Sequence, residues 1–168
     1  MATETMTVVF TDMVGSTDMT QAKGDQAAQI IVRRHNSIVR AALNEYGGKQ
    51  IKHTGDGIMA AFPSPASGVE AAVAIQRAVA ANNARFPDQT LHLRIGINAG
   101  EPIEEEEDLF GATVQLAART CAAAGTDQIV CTNVVRELTG NKASFAARGP
   151  TTLKGFSEKV TLYEVGWA

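Results

Sequence analysis

The sequence predicts an α+β fold: a ferredoxin-like βαββαβ core with additional C-terminal α and β elements, and an antiparallel sheet covered by helices. Three observations predict it. Two stretches, residues 25–46 and 65–85, carry apolar residues at helical spacing. Short β-rich segments stand before, between and after them. A glycine-flanked aspartate, Gly55-Asp56-Gly57, separates two of those segments as a hairpin signal.

Each element follows from its residues. Residues 6–11 (MTVVFT) are β-branched and apolar, and read as a buried strand. Residues 12–17 (DMVGST) read as a turn rich in capping residues. In residues 25–46, Ala28, Ile31, Ile38, Ala42 and Tyr46 recur on one helical face, and Gly47-Gly48 ends the helix. Residues 50–54 and 58–62 read as the two hairpin strands. Pro65 opens a second, alanine-rich helix with Val69, Val73 and Val79 on its inner face. Residues 91–99 alternate Leu91, Leu93, Ile95 and Ile97 against His92, Arg94, Gly96 and Asn98, the pattern of a strand with one buried face. Residues 101–108 read as an acidic hairpin or loop and residues 111–124 as a third helix. Residues 128–131 read as a strand, 133–138 as a short helix, and 145–165 as a final strand pair. Helices are expected on one face of the sheet.

No linker or repeat divides the 168 residues, so residues 1–168 are expected to form one domain. A net charge of −3 and a pI near 5.6 argue against broad nucleic-acid or membrane-surface binding. They leave room for a small basic pocket for one phosphorylated ligand. No apolar run approaches the roughly 20 residues that span a bilayer, and residues 1–7 lack the pattern of a signal segment. Cys121 and Cys131 have no metal-ligand spacing and suggest a reducing compartment. A cytoplasmic protein, or the cytoplasmic part of a larger one, is expected.

Two aspartates carry the first chemical signal. Asp12 follows an apolar strand, and Asp56 sits at a hairpin tip. Carboxylates held at strand ends can bind Mg²⁺ through oxygen, and two on adjacent strands could share two cations for phosphoryl chemistry. Taken singly, each has a plain explanation, since Asp-Gly is a common turn and Asp12 could begin an Asx-turn. Gly15, Ser16 and Thr17 precede helical sequence, where backbone N–H groups can hold phosphate; alone they are an ordinary capping sequence. Lys52, Arg119 and Lys154 would each pass as surface cations. The run from Glu104 to Glu107 reads as a solvated hairpin tip, because adjacent carboxylates point in different directions. His35 and His53 read as structural.

In combination the segments resemble the class III nucleotidyl cyclases. The run from Phe10 to Thr17 (FTDMVGST) resembles the first metal motif of that family, and Ile51 to Gly57 (IKHTGDG) the second. Residues 108–119 (DLFGATVQLAAR) resemble the base-recognition and transition-state segment, and Leu153-Lys154-Gly155 a late phosphate-binding lysine motif. Their order runs from about Val8 to Val165, nearly the whole chain.

The resemblance implies an adenylate cyclase that converts ATP to 3′,5′-cyclic AMP and pyrophosphate. It implies that Asp12, Asp56 and the carbonyl of Met13 bind two Mg²⁺ or Mn²⁺ per active site. Lys52 and Asp108 would select the purine, Arg119 would stabilise the transition state, and Lys154 would contact the triphosphate. Gln115 stands where the family usually has an asparagine. The resemblance further implies a homodimer with two composite active sites, cations from one chain and purine contacts from the other. Lysine only donates and ionised aspartate only accepts, which fits N1 and N6 of adenine. Guanine presents the opposite pattern, so a guanylate cyclase is the disfavoured alternative. A regulatory domain that binds nucleotide with weakened catalysis is another, supported by Gln115; an α+β interaction domain is the last.

Overall fold

A computed structural model describes residues 4–15 and 24–168. The chain runs β1 (Met6–Met13), α1 (Asp25–Tyr46), β2 (Lys49–His53), β3 (Gly57–Phe62), α2 (Pro65–Arg85) and β4 (Leu93–Gly100). Then come β5 (Ile103–Glu105), β6 (Asp108–Phe110), α3 (Ala112–Ala123), β7 (Ile129–Thr132), α4 (Asn133–Thr139), a 3₁₀ turn (Gly140–Lys142), β8 (Phe145–Thr151) and β9 (Val160–Val165). Seven strands form one sheet in the order β2-β3-β1-β4-β7-β9-β8, and β5 and β6 form a separate hairpin. The first four strands and two helices are the expected βαββαβ unit. The β4–β7 pair is parallel, and the other pairs of the large sheet are antiparallel.

Local chemistry sets the helix ends. Gly47 takes a left-handed conformation (φ 74°) that closes α1, and the Gly48 N–H reaches the Leu43 carbonyl at 2.8 Å. Ser64 caps α2 by accepting from the Ser67 N–H at 3.1 Å, with Pro65 in the first turn. Both helices lay their apolar stripes on one sheet face, where Ile31, Val39, Leu43, Val69, Ile75 and Val79 meet Val9, Ile58, Phe62, Leu93, Ile95 and Ile97.

Two expectations change. Residues 12 and 13 continue strand β1 instead of starting the turn, because Asp12 pairs with Gly57 on one side and Arg94 on the other. The helices also do not keep to one face. α3 crosses the opposite face at Gly96, where a Cβ would lie 2.2 Å from the Cys121 backbone nitrogen. Glycine lets the helix backbone touch the sheet there, so Gly96 and Asn98 are buried although they lie opposite the apolar side of β4. Burial pushes the Cys121 and Cys131 thiols up to about 12, which leaves both as inert packing groups. Among the described residues, no helix is long and apolar enough to cross a membrane.

Candidate active site

Strand periodicity decides which side chains share the α3 face. Along β1, Met6, Val8 and Phe10 pack with Leu109, Met59 and Ala117 on that face. Asp12 continues the same alternation, at the strand's C-terminal end. Thr11 and Met13 turn the other way, towards α1 and α2.

Asp12 and Asp56 are brought together by register. Asp12 pairs with Gly57, and the Met13 N–H donates to the Asp56 carbonyl at 2.9 Å. The turn is closed by the Thr54 N–H on the Gly57 carbonyl, also 2.9 Å, with Gly55 at φ 69°. Gly57 lies so close to β1 that a Cβ would sit 1.6 Å from the Thr11 carbonyl oxygen. The strand end and the turn are therefore in backbone contact. Among the described residues, no group of three or more His, Cys, Asp or Glu side chains gathers as a metal-binding set. Two hard carboxylates and a backbone carbonyl are an incomplete oxygen set. Such a set would leave positions on a cation such as Mg²⁺ or Mn²⁺ to water and substrate phosphate.

In the sequence Arg94 stands out only by its place on the polar side of β4. Its Nε and Nη2 both donate to Asp12 Oδ2, at 2.9 and 2.7 Å, and its Nη1 donates to the Ala122 carbonyl at 3.3 Å. The guanidinium thus joins Asp12 to the end of α3. The signal that could have found it is the β1–β4 register, which pairs Arg94 directly with Asp12.

Lys52 and Asp108 meet although 56 positions separate them. Lys52 Nζ lies 2.8 Å from Asp108 Oδ2. A β-bulge between Gln50 and Lys52 shifts the register so that Lys52 pairs with Met59 and shares its side of the sheet. Asp108 opens β6, where it also accepts the Leu109 N–H at 2.7 Å. The lysine ammonium, and next the Leu109 amide, hold the Asp108 carboxyl below the usual carboxylate range, so it is an acceptor at neutral pH. Both side chains are partly exposed, and the ammonium stands 5.9 Å from the Phe110 ring centroid. A ligand edge can reach this donor and acceptor.

The remaining expected residues lie on or beside α3. Gln115 and Arg119 are both exposed and one helical turn apart, hence on one face. Asn98 anchors the start of α3 by donating to the Thr113 carbonyl at 3.1 Å, while its Oδ1 accepts from Thr132 at 2.7 Å. Lys154 is exposed in the β8–β9 connection. Its neighbour Leu153 is buried with Ala124, Val130 and Leu162, against which Leu116 and Phe156 pack, and this ties the lysine loop to α3. Gly15 is exposed at φ 72°; Ser16 and Thr17 lie outside the described residues. The acidic run forms the β5–β6 hairpin, with Glu106 and Glu107 at its tip in left-handed conformations.

Comparison with known proteins gives the family and the fold. The family model described as the adenylate and guanylate cyclase catalytic domain matches residues 1–166. An uncharacterised protein of Mycobacterium tuberculosis, Rv2212, is 32% identical over 164 residues, which cover 98% of this chain and 42% of that protein. The chain therefore spans less than half the length of that relative. Among solved structures, the adenylyl cyclase CyaB from P. aeruginosa superposes with a TM-score of 0.90 at 21% identity, covering 99% of this chain and 96% of that one. The guanylyl cyclase Cya2 gives 0.87 at 22% identity, covering 98% and 92%. At such identities the likeness concerns the fold, which adenylyl and guanylyl cyclases share.

Proposed function

Because the chain belongs to the adenylate and guanylate cyclase catalytic domain family, we propose that residues 1–168 form one catalytic domain that converts ATP to 3′,5′-cyclic AMP and pyrophosphate. The observation that carries the choice of ATP is the Lys52–Asp108 pair at 2.8 Å. It sets one obligate donor beside one obligate acceptor. Adenine N1 accepts and N6 donates, so both groups find partners at one purine edge. Guanine would face an acceptor with an acceptor and a donor with a donor, and such mismatches discriminate strongly.

The other residues divide the work. Asp12, Asp56 and the Met13 carbonyl would hold two Mg²⁺ or Mn²⁺. When bound, these cations lower the pKa of the ribose 3′-hydroxyl and neutralise triphosphate charge. Arg119 and Lys154 would oppose the charge that gathers on the phosphoryl and leaving oxygens. Gln115, one turn before Arg119, would orient the ribose. Arg94 balances the Asp12 carboxylate, and stands ready to meet phosphate oxygens when cations take that carboxylate.

The α3 face supports a homodimer with two composite sites. Ile103 and Phe110 of the β5–β6 hairpin are 44% and 47% exposed, and Val14 at the end of β1 is 39% exposed. Ile103 pairs with Phe110 in the hairpin that carries Asp108, and Val14 follows the Asp12–Met13 strand end; a second copy would cover these side chains while it completes the site. Asp12→Ala and Asp56→Ala test the cation assignment. Each is expected to lower cyclic AMP formation by more than about a hundredfold, with the fold retained by circular dichroism. A wild-type rate in either variant rules out the two-cation reading.

A further inference from the structure

His35 occupies a position in α1 that packing alone would give to an aliphatic residue. It stands in the buried stripe of Ala28, Ile31, Val39, Ala42 and Leu43, and is itself 2% exposed. A buried imidazole is costly unless its nitrogens are matched, and both are. Nδ1 lies 3.0 Å from Asn36 Oδ1, an acceptor, so Nδ1 carries the proton. Nε2 is then an acceptor, 3.1 Å from the Thr11 hydroxyl. Burial, the largest influence, lowers the pKa of His35 and keeps the ring neutral, in line with this tautomer.

Thr11 is the junction. Its Oγ1 accepts from the Ile58 N–H at 3.1 Å and donates to His35. Ile58 follows Gly57 and Asp56, while Thr11 precedes Asp12 and Met13. The hydroxyl therefore links the two segments that carry the aspartates, one residue below Asp12 and two beyond Asp56. It does so beside the tight approach of Gly57 to the Thr11 carbonyl. A hydroxyl that must accept from one strand and donate to a fixed helix atom has no rotational freedom left.

We propose that Thr11 and His35 form a positioning pair that holds the Asp12 strand end and the Asp56 turn in the geometry cations require. The pair acts through backbone and touches no substrate. Its link to cation binding rests on the reading of Asp12 and Asp56 given above. His35→Leu keeps volume and removes the acceptor, whereas His35→Gln returns an acceptor oxygen near the Nε2 position. Thr11→Val removes the hydroxyl while keeping shape.

Two measurements separate positioning from packing. The first is Mn²⁺ binding by electron paramagnetic resonance in the presence of α,β-methylene-ATP, which cannot release pyrophosphate. The second is hydrogen exchange of the Ile58 and Met13 amides, with the Gly166 amide as a distant reference. His35→Leu and Thr11→Val are expected to weaken Mn²⁺ binding about tenfold and to speed Ile58 and Met13 exchange about as much, without changing Gly166. His35→Gln is expected to stay within about threefold of wild type in both. If the leucine variant does not fold, the valine variant carries the same comparison. Wild-type Mn²⁺ affinity and amide protection in His35→Leu or Thr11→Val would overturn the proposal, as would a glutamine variant no better than the leucine one. Wild-type protein that fails to bind Mn²⁺ would instead overturn the cation reading of the aspartates, while amide exchange would still report on the pair.

Discussion

Gly57→Ala places one methyl group where the structure has least room. The new carbon would lie 1.6 Å from the Thr11 carbonyl oxygen and 3.1 Å from Asp12 Cα. Ordinary contact begins at 3.4 Å, so the oxygen must retreat by about 1.8 Å. Both obstacles are backbone, and neither can swing away as a side chain would. β1 and β3 must part at the end that carries Asp12 and Asp56. A displacement near 1 Å costs about a hundredfold in rate, equivalent to about 2.7 kcal/mol of transition-state stabilisation. Overpacking should also lower stability by about 1–3 kcal/mol. The control is Gly149→Ala on β8. Gly149 has φ 79° but no atom within 4 Å of a built Cβ, so only conformational strain of about 1–2 kcal/mol applies. Cyclic nucleotide formation at saturating Mn²⁺ and nucleotide, with thermal melts, distinguishes the two. Gly57→Ala should lose rate and stability, Gly149→Ala stability alone. A wild-type rate in Gly57→Ala would refute the claim that this backbone contact sets the aspartate geometry.

Two further outcomes follow from the proposed site. Gln115→Ala should lower kcat about tenfold, or about 1.4 kcal/mol, if the longer amide keeps the ribose-holding role; an unchanged alanine variant together with a faster Gln115→Asn would show that the role is lost. Equal amounts of Asp12→Ala and Arg119→Ala, each inactive alone, should recover about a quarter of wild-type activity after subunit exchange, because half the dimers hold one intact site. No recovery despite demonstrated exchange would put each site within one chain.

Much of the fold was legible because the signals are local. Gly47-Gly48 and Pro65 mark helix ends within a residue, and both long helices have the expected bounds. The β2–β3 hairpin is equally local, since Gly55 supplies the positive φ its turn requires. The two-sided burial of β4 was not legible. It depends on α3 landing on Gly96, a contact between segments far apart in sequence, and alternation alone reads Gly96 and Asn98 as exposed. Arg94 stayed hidden for the same reason, because its partner Asp12 is 82 positions away. The expected purine pair was legible only through the ordered motifs. Nothing in the composition of β2 announces the bulge that turns Lys52 towards Asp108. The sequence gives His35 a structural place, which its burial matches; its bond to Thr11 lies beyond any local pattern.

The central claim is that the Lys52–Asp108 pair commits this domain to ATP. The direct test is product formation by the purified protein with ATP or GTP and either Mg²⁺ or Mn²⁺, following cyclic nucleotide and pyrophosphate together. The account predicts cyclic AMP and pyrophosphate in equal amounts, dependent on added cation and abolished by chelation, with kcat/KM for ATP at least about a hundredfold above that for GTP. Equal use of the two nucleotides, preference for GTP, or no cyclic product from either would contradict it.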